Sequence, residues 1–89
     1  MRPLTRIRQA IREERYRVSM HANDEMAEDC LEIADIEQMI LTGTLVKKLT
    51  HDLRGTRYEI FGETADGRHC YVVCRFLASG TLLIITAYV

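Results

Sequence analysis

No stretch of the sequence is apolar for about 18 residues, so none is expected to cross a membrane as a helix. The Arg-rich start lacks the apolar segment that a secretory signal needs. Cysteine occurs three times, as Cys30, Cys70 and Cys74, an odd number without the CxxC pairs of a zinc site. Cys70 and Cys74 stand four apart on a predicted strand, about 13 Å, too far to bridge. They read as reduced core residues of a cytoplasmic protein. Proline occurs once, at Pro3, and no linker, repeat or low-complexity tract interrupts the chain. Net charge is also scarce, at −1. That argues against a strong nonspecific nucleic-acid binder, whose affinity rests on phosphate contacts.

What is present is ordinary globular material. Eighty-nine residues, 47% hydrophobic and 28% charged, make one domain over residues 1–89. The small total charge conceals a strong segregation. Residues 1–18 carry +4, residues 19–46 carry −7 with no Lys or Arg, and residues 47–89 carry +2. Such blocks predict a basic face and an acidic face, and a local basic groove fits them.

Residues 1–15 form a basic N-terminal segment whose part from Pro3 to Arg15 reads as an amphipathic helix. Leu4, Ile7 and Ile11 make its apolar stripe, with Arg6, Arg8, Arg12 and Arg15 around it. "YRVS" alternates as a short strand. Ser19 is placed to cap a second helix that ends near Cys30. On that helix His21, Glu25 and Asp29 share one face, and Ala22, Met26 and Cys30 form an apolar stripe beside it. A third helix follows: Asp35 can reach back to the backbone at Glu32, Ile33, Ile36 and Ile40 make its buried face, and Gly43 suits a left-handed stop. Four strands come next, "TLVKKLT", "RYEIFGE", "HCYVVCRFL" and "TLLIITAYV", with Asp66-Gly67 a strong hairpin signal. The predicted architecture is α+β: two to three helices on one face of a mainly antiparallel four-stranded sheet, with a short extra N-terminal edge strand.

The segments "HANDEMAED", "DIEQMILTG", "HDLRGTRYEIFGETADGRHCYVV" and "LLIITAY", in this order and spacing, resemble the bacterial domain-of-unknown-function family 4258, grouped with the RelE/BrnT-like toxins. The resemblance runs from Tyr16 to Val89. It implies a RelE-like fold, toxin-type endoribonuclease activity and a companion antitoxin protein. The chain departs from the family pattern after Gly67-Arg68, where Pro and His are frequent and His69 and Tyr71 stand here. It departs again at Glu32, where the helix cap is often Thr or Ser.

A metal-free ribonuclease needs a base for the ribose 2′-OH, an acid for the leaving oxygen and a cation for the phosphorane. It needs no cofactor. His21 is the best-placed histidine, at a strand–helix junction, with Glu25 one turn on to orient it. The competing reading is that His21 locks the corner and that Glu25, Glu28 and Asp29 are a solvated helix face. His21 and Glu25 are also spaced to share a metal with Asp29, but metal sites usually draw on several elements, so no metal is assigned. Arg68 is the expected phosphate clamp and Tyr88, two residues from Thr86 on the last strand, a hydrogen-bond donor. Arg54, Arg57, Tyr71 and Arg75 are the expected RNA contacts. Strand alternation puts His69, Tyr71, Val73 and Arg75 on one face and Cys70, Val72, Cys74 and Phe76 on the other, toward the helices. The open face is equally readable as an ordinary wet sheet. His51 lies in a polar loop beside Asp52, and the basic first helix is a further candidate surface for RNA or an acidic partner. The alternative function is a non-catalytic protein-interaction module on the same fold, as a homodimer or with another protein. No membrane partner is expected.

Overall fold

A computed structural model describes residues 1–89. The first helix, α1 (Pro3–Arg12), starts with Pro3 in the first turn, where a missing N–H costs nothing. It is shorter than the expected Pro3–Arg15. Glu14 takes a left-handed backbone (φ 57). The amide of Arg15 then bonds the carbonyl of Ala10 at 2.8 Å and that of Glu14 bonds Ile11 at 3.1 Å. This is the Schellman closure, made here without glycine. It reverses the chain into β1 (Tyr16–Val18).

Ser19 caps α2 (Met20–Glu28), its hydroxyl oxygen accepting the Ala22 N–H at 3.0 Å. The helix closes on Cys30 as α1 does on Glu14, with Cys30 left-handed (φ 54) and the Leu31 amide on Met26 at 2.8 Å. In α3 (Ile33–Thr42), Asp35 reaches back to the Glu32 amide at 2.9 Å, as the capping box requires. Gly43 ends α3 for a different reason from the one expected. Its backbone is extended (φ −83), not left-handed. A side chain there would collide with the carbonyl oxygens of Met39 and Phe61, so the requirement is for space. Arg8 of α1 completes this corner, donating to the carbonyls of Ile40 (3.0 Å) and Gly43 (2.8 Å).

Four strands follow: β2 (Thr44–Leu49), β3 (Arg57–Glu63), β4 (His69–Phe76) and β5 (Leu82–Tyr88). The sheet is five-stranded, open and mixed, in the order β1-β5-β4-β3-β2. The sequence-based expectation of four antiparallel strands is modified by β1, which enters parallel to β5 with Tyr16 opposite Leu82 and Val18 opposite Ile84. A parallel partner needs a long crossover, and the path from β1 to β5 through two helices, α2 and α3, and three strands, β2, β3 and β4, supplies it.

One core lies between the sheet and the helices. Ile7, Ile36, Met39, Ile40, Ile60, Val72, Leu82 and Ile84 are fully buried there, with Cys70 and Cys74. Buried and partly exposed residues alternate along β3, β4 and the start of β5. All three helices therefore cover one face of the sheet, and the other face is bare.

Candidate functional site: the open sheet face and its α2 edge

The bare face is built by strand register. Phe61 stands opposite Tyr71, and Tyr71 opposite Tyr88. Their rings pack in series, Phe61–Tyr71 at 4.9 Å and Tyr71–Tyr88 at 5.3 Å between centroids, with the His69 ring stacked on Phe61 at 5.4 Å. The next row is Lys47, Glu59, Val73 and Thr86, and beyond it Arg75 and Arg17 both stand opposite Leu83. Two irregularities shape the face: one near Val46 brings Lys47 onto it, and one between Val73 and Cys74 returns both Thr86 and Tyr88 to it. No carboxylate lies within ion-pair distance of Arg17, Lys47 or Arg75, whose charges are free.

Tyr88 donates to Glu59 Oε1 at 3.3 Å. Burial, with the Glu59 carboxylate beside it, raises its phenol pKa, so it is a protonated donor at neutral pH. This face carries a stack of aromatic rings with a donor and a carboxylate beside it, and unpaired guanidinium groups two rows along the strands. Stacked aromatics with flanking arginines are what sheet surfaces use to hold unpaired bases.

The acidic stripe on α2 has a definite structural task. Beyond Val18 the outer edge of β5 has no strand partner, and α2 covers it. Ser19 donates to the Ile85 carbonyl at 2.8 Å. Glu25 Oε1 accepts the Ala87 N–H at 3.0 Å and the Thr86 hydroxyl. Asp29 accepts the Val89 N–H at 3.3 Å. One helical turn and two strand residues both advance roughly 5–7 Å, so carboxylates at i and i+4 can meet alternate strand amides. The helix thus satisfies an edge that would otherwise be open to another chain. His21, 69% exposed, stands 3.3 Å from the Glu25 carboxylate, which is itself only 22% exposed.

The structure therefore gathers some of the expected site residues and separates others. His21 and Glu25 meet, and Glu25 grips Thr86 and Ala87, next to Tyr88; Tyr71 stacks on Tyr88. Arg68 is elsewhere. Its guanidinium bonds Asp66 through Nε at 3.0 Å and the carbonyls of Asp29 and Cys30 through its terminal nitrogens, closing the C-terminus of α2. Hydrogen bonding to Asp66 raises its pKa, and Thr64 and Arg68 together hold Asp66 below the usual carboxylate range. With its donors engaged in the fold, Arg68 is a fastener. Arg54 and Arg57 share the nearly buried Asp52 carboxylate at 3.3 and 3.2 Å, so together they bring one net charge. Hydrogen bonds from Arg54 hold Asp52 below the usual range as well. Arg75 remains unpaired, on the same face as the aromatic stack and four residues along β4 from Tyr71. No group of three or more His, Cys, Asp or Glu side chains is arranged to hold a metal ion.

Glu59, Phe61, Lys47 and Arg17 belong to this surface and carry no role in the sequence reading, which placed Thr86 beside Tyr88. Alternation in "RYEIFGE" carries the signal for Glu59 and Phe61, on the face opposite Tyr58 and Ile60. Lys47 had no such signal, because the irregularity at Val46 breaks the alternation.

These features define a small α+β domain: three helices on one face of a five-stranded mixed open sheet, the other face bare, and no helix long and apolar enough to cross a membrane. Residues 18–89 match the family described as Domain of unknown function (DUF4258), and the chain belongs to that family. Comparison with curated proteins and with solved structures found no match in either. The match begins at Val18, so α1 and most of β1 precede it.

Proposed function

We propose that the protein is a RelE/BrnT-like, toxin-type endoribonuclease that holds single-stranded RNA on its open sheet face in the cytoplasm, with an antitoxin protein as its partner. The observation that carries this reading is the His69–Phe61–Tyr71–Tyr88 stack flanked by the unpaired Arg17, Lys47 and Arg75. Bases stack on the rings and phosphates meet the cations.

In this reading His21, oriented by Glu25, accepts the 2′-OH proton. The 2′ oxygen attacks phosphorus, the bond to the 5′ oxygen breaks, and Tyr88 supplies the proton to that leaving oxygen; afterwards His21 releases its proton to water and Tyr88 takes one from water. The products are a 2′,3′-cyclic phosphate and a 5′-OH. Arg75 stabilises the phosphorane, the role first expected of Arg68. The reaction uses no metal and no cofactor. The test is induced expression with RNA integrity as readout. Wild type degrades RNA; His21→Ala and Tyr88→Phe each slow degradation by about 10²-fold or more, the usual worth of a general acid or base. Intact RNA with the wild type sinks the proposal.

A second reading is favoured by one observation. Val46, Leu49 and Leu53 are exposed beside the unpaired edge of β2. An apolar strand edge of this kind suits a non-catalytic module that binds a protein or a second copy of itself. Association that Val46→Glu abolishes, from a chain that leaves RNA intact, supports it.

A further inference from the structure

A shallow cleft of about 390 Å³ opens on the helix side of the molecule, between α1 and the turn that joins β4 to β5. It shares no residue with the open sheet face. Arg6, Gln9 and Arg15 line it from the N-terminal segment, and Phe76 and Gly80 from the other side. The Arg6 guanidinium lies over the Phe76 ring, 4.3 Å from its centroid. Stacking fixes the plane of that group without using its N–H donors. Arg6 has no carboxylate within ion-pair distance and makes no side-chain hydrogen bond, so those donors are free. Arg15 is anchored on both sides, Nε to Glu13 at 2.7 Å and Nη1 to the Gly80 carbonyl at 3.1 Å, which leaves Nη2 unengaged. Two guanidinium groups are thus held in place at one cleft, and only one of them is neutralised. No carboxylate lines it.

We propose that this cleft is a phosphate-binding site, with Arg6 and Arg15 as the phosphate ligands. Planar guanidinium groups bond phosphate oxygens two at a time, and fixing them beforehand removes the ordering cost of a free side chain. The volume exceeds one phosphate and falls in the range of small-ligand pockets, so a nucleoside monophosphate fits as well as a phosphate of an RNA strand. Arg6, Gln9 and Arg15 precede the segment that matches the family, whereas Phe76 and Gly80 lie within it.

The test is amide NMR of the full chain at constant ionic strength, with four probes: inorganic phosphate, uridine 5′-monophosphate, and a short single-stranded RNA with and without a 5′-phosphate. Saturable shifts at Gln9, Gly80 and Thr81 that weaken at least tenfold in Arg6→Gln, and recover partly in Arg6→Lys, support the site. Shifts with the small probes identify a free phosphate ligand, and shifts with RNA alone identify a strand phosphate. Circular dichroism of Arg6→Gln, an exposed position, verifies the fold. No saturable shift with any probe, or equal affinity in Arg6→Gln, overturns it. The ribonuclease reading is scored separately: RNA that shifts Tyr71 and Tyr88 but not Gln9 and Gly80 removes this site and leaves that reading standing.

Discussion

Replacing Glu25 with alanine strips the free edge of β5 of its main acceptor. The carboxylate bonds the Ala87 amide at 3.0 Å and the Thr86 hydroxyl. A hydrogen bond to a charged group contributes about 1.5–3 kcal/mol. Glu25 is 22% exposed, so water partly replaces it, and the two bonds together are worth about 2–3 kcal/mol. Domains of this size are stable by about 0.05–0.15 kcal/mol per residue, so the loss is a large share of the whole. Glu25→Ala should lower the melting temperature by about 10–20 °C, since about 1 kcal/mol shifts a small domain by roughly 4–8 °C. Glu25→Gln keeps an acceptor oxygen for Ala87 and should cost about 1 kcal/mol. His21→Ala, at an exposed site, should stay within about 0.5 kcal/mol. Urea unfolding followed by circular dichroism measures all three. A Glu25→Ala midpoint within about 0.5 kcal/mol of wild type would refute the edge-capping account and leave Glu25 only its place beside His21.

Three further outcomes can be checked. In the native protein Cys30 alone should react quickly with a thiol reagent, because Cys70 and Cys74 are buried and burial pushes their thiols up to about 11 and about 12; unfolding should release both, and rapid native labelling of all three would contradict the core packing. Glu14→Gly should raise stability by about 1 kcal/mol, since a side chain at φ 57 is strained and glycine is not; thermal melting decides it, and a loss would show that no strain resides there. Burial and Glu37 push the Tyr16 phenol up to about 12 from 10.0. The folded value lies above the unfolded one, so the stability this adds is complete below about pH 10 and disappears as pH rises toward 12. Tyr16→Phe should lose that alkaline slope, and an ultraviolet titration with all tyrosines ionising together near pH 10 would count against it.

Much of the fold was legible because local chemistry set it. Pro3 at a first turn, Ser19 as a cap, Asp35 reaching back to Glu32 and the alternation around Cys70, Val72 and Cys74 all acted within a few residues. The misread features depend on distant partners. Gly43 looked like a left-handed stop, but its reason is the carbonyl of Phe61, eighteen residues away. The α1 boundary moved because Glu14 took a conformation that glycine usually fills. The parallel entry of β1 is a tertiary choice that "YRVS" alone cannot encode. The candidate site divides in the same way. His21, Glu25 and Asp29 were visible as one stripe, but their task on β5 was not, since the groups they serve are backbone amides some sixty residues on. Arg68 looked free for the same reason: the carbonyls it holds, of Asp29 and Cys30, lie at the C-terminal cap of α2. The His69–Tyr71–Arg75 face followed from alternation, whereas its continuation through Phe61 and Tyr88 needed the register.

The central claim is that the open face handles RNA, and the most direct measurement is cleavage of a single-stranded RNA by the purified chain, compared with Tyr88→Phe and Arg75→Ala of verified fold. The account predicts a 2′,3′-cyclic phosphate product without added metal, formed about 10²-fold or more slowly by each variant. RNA left intact by the wild type, or cut equally fast by both variants, would contradict it.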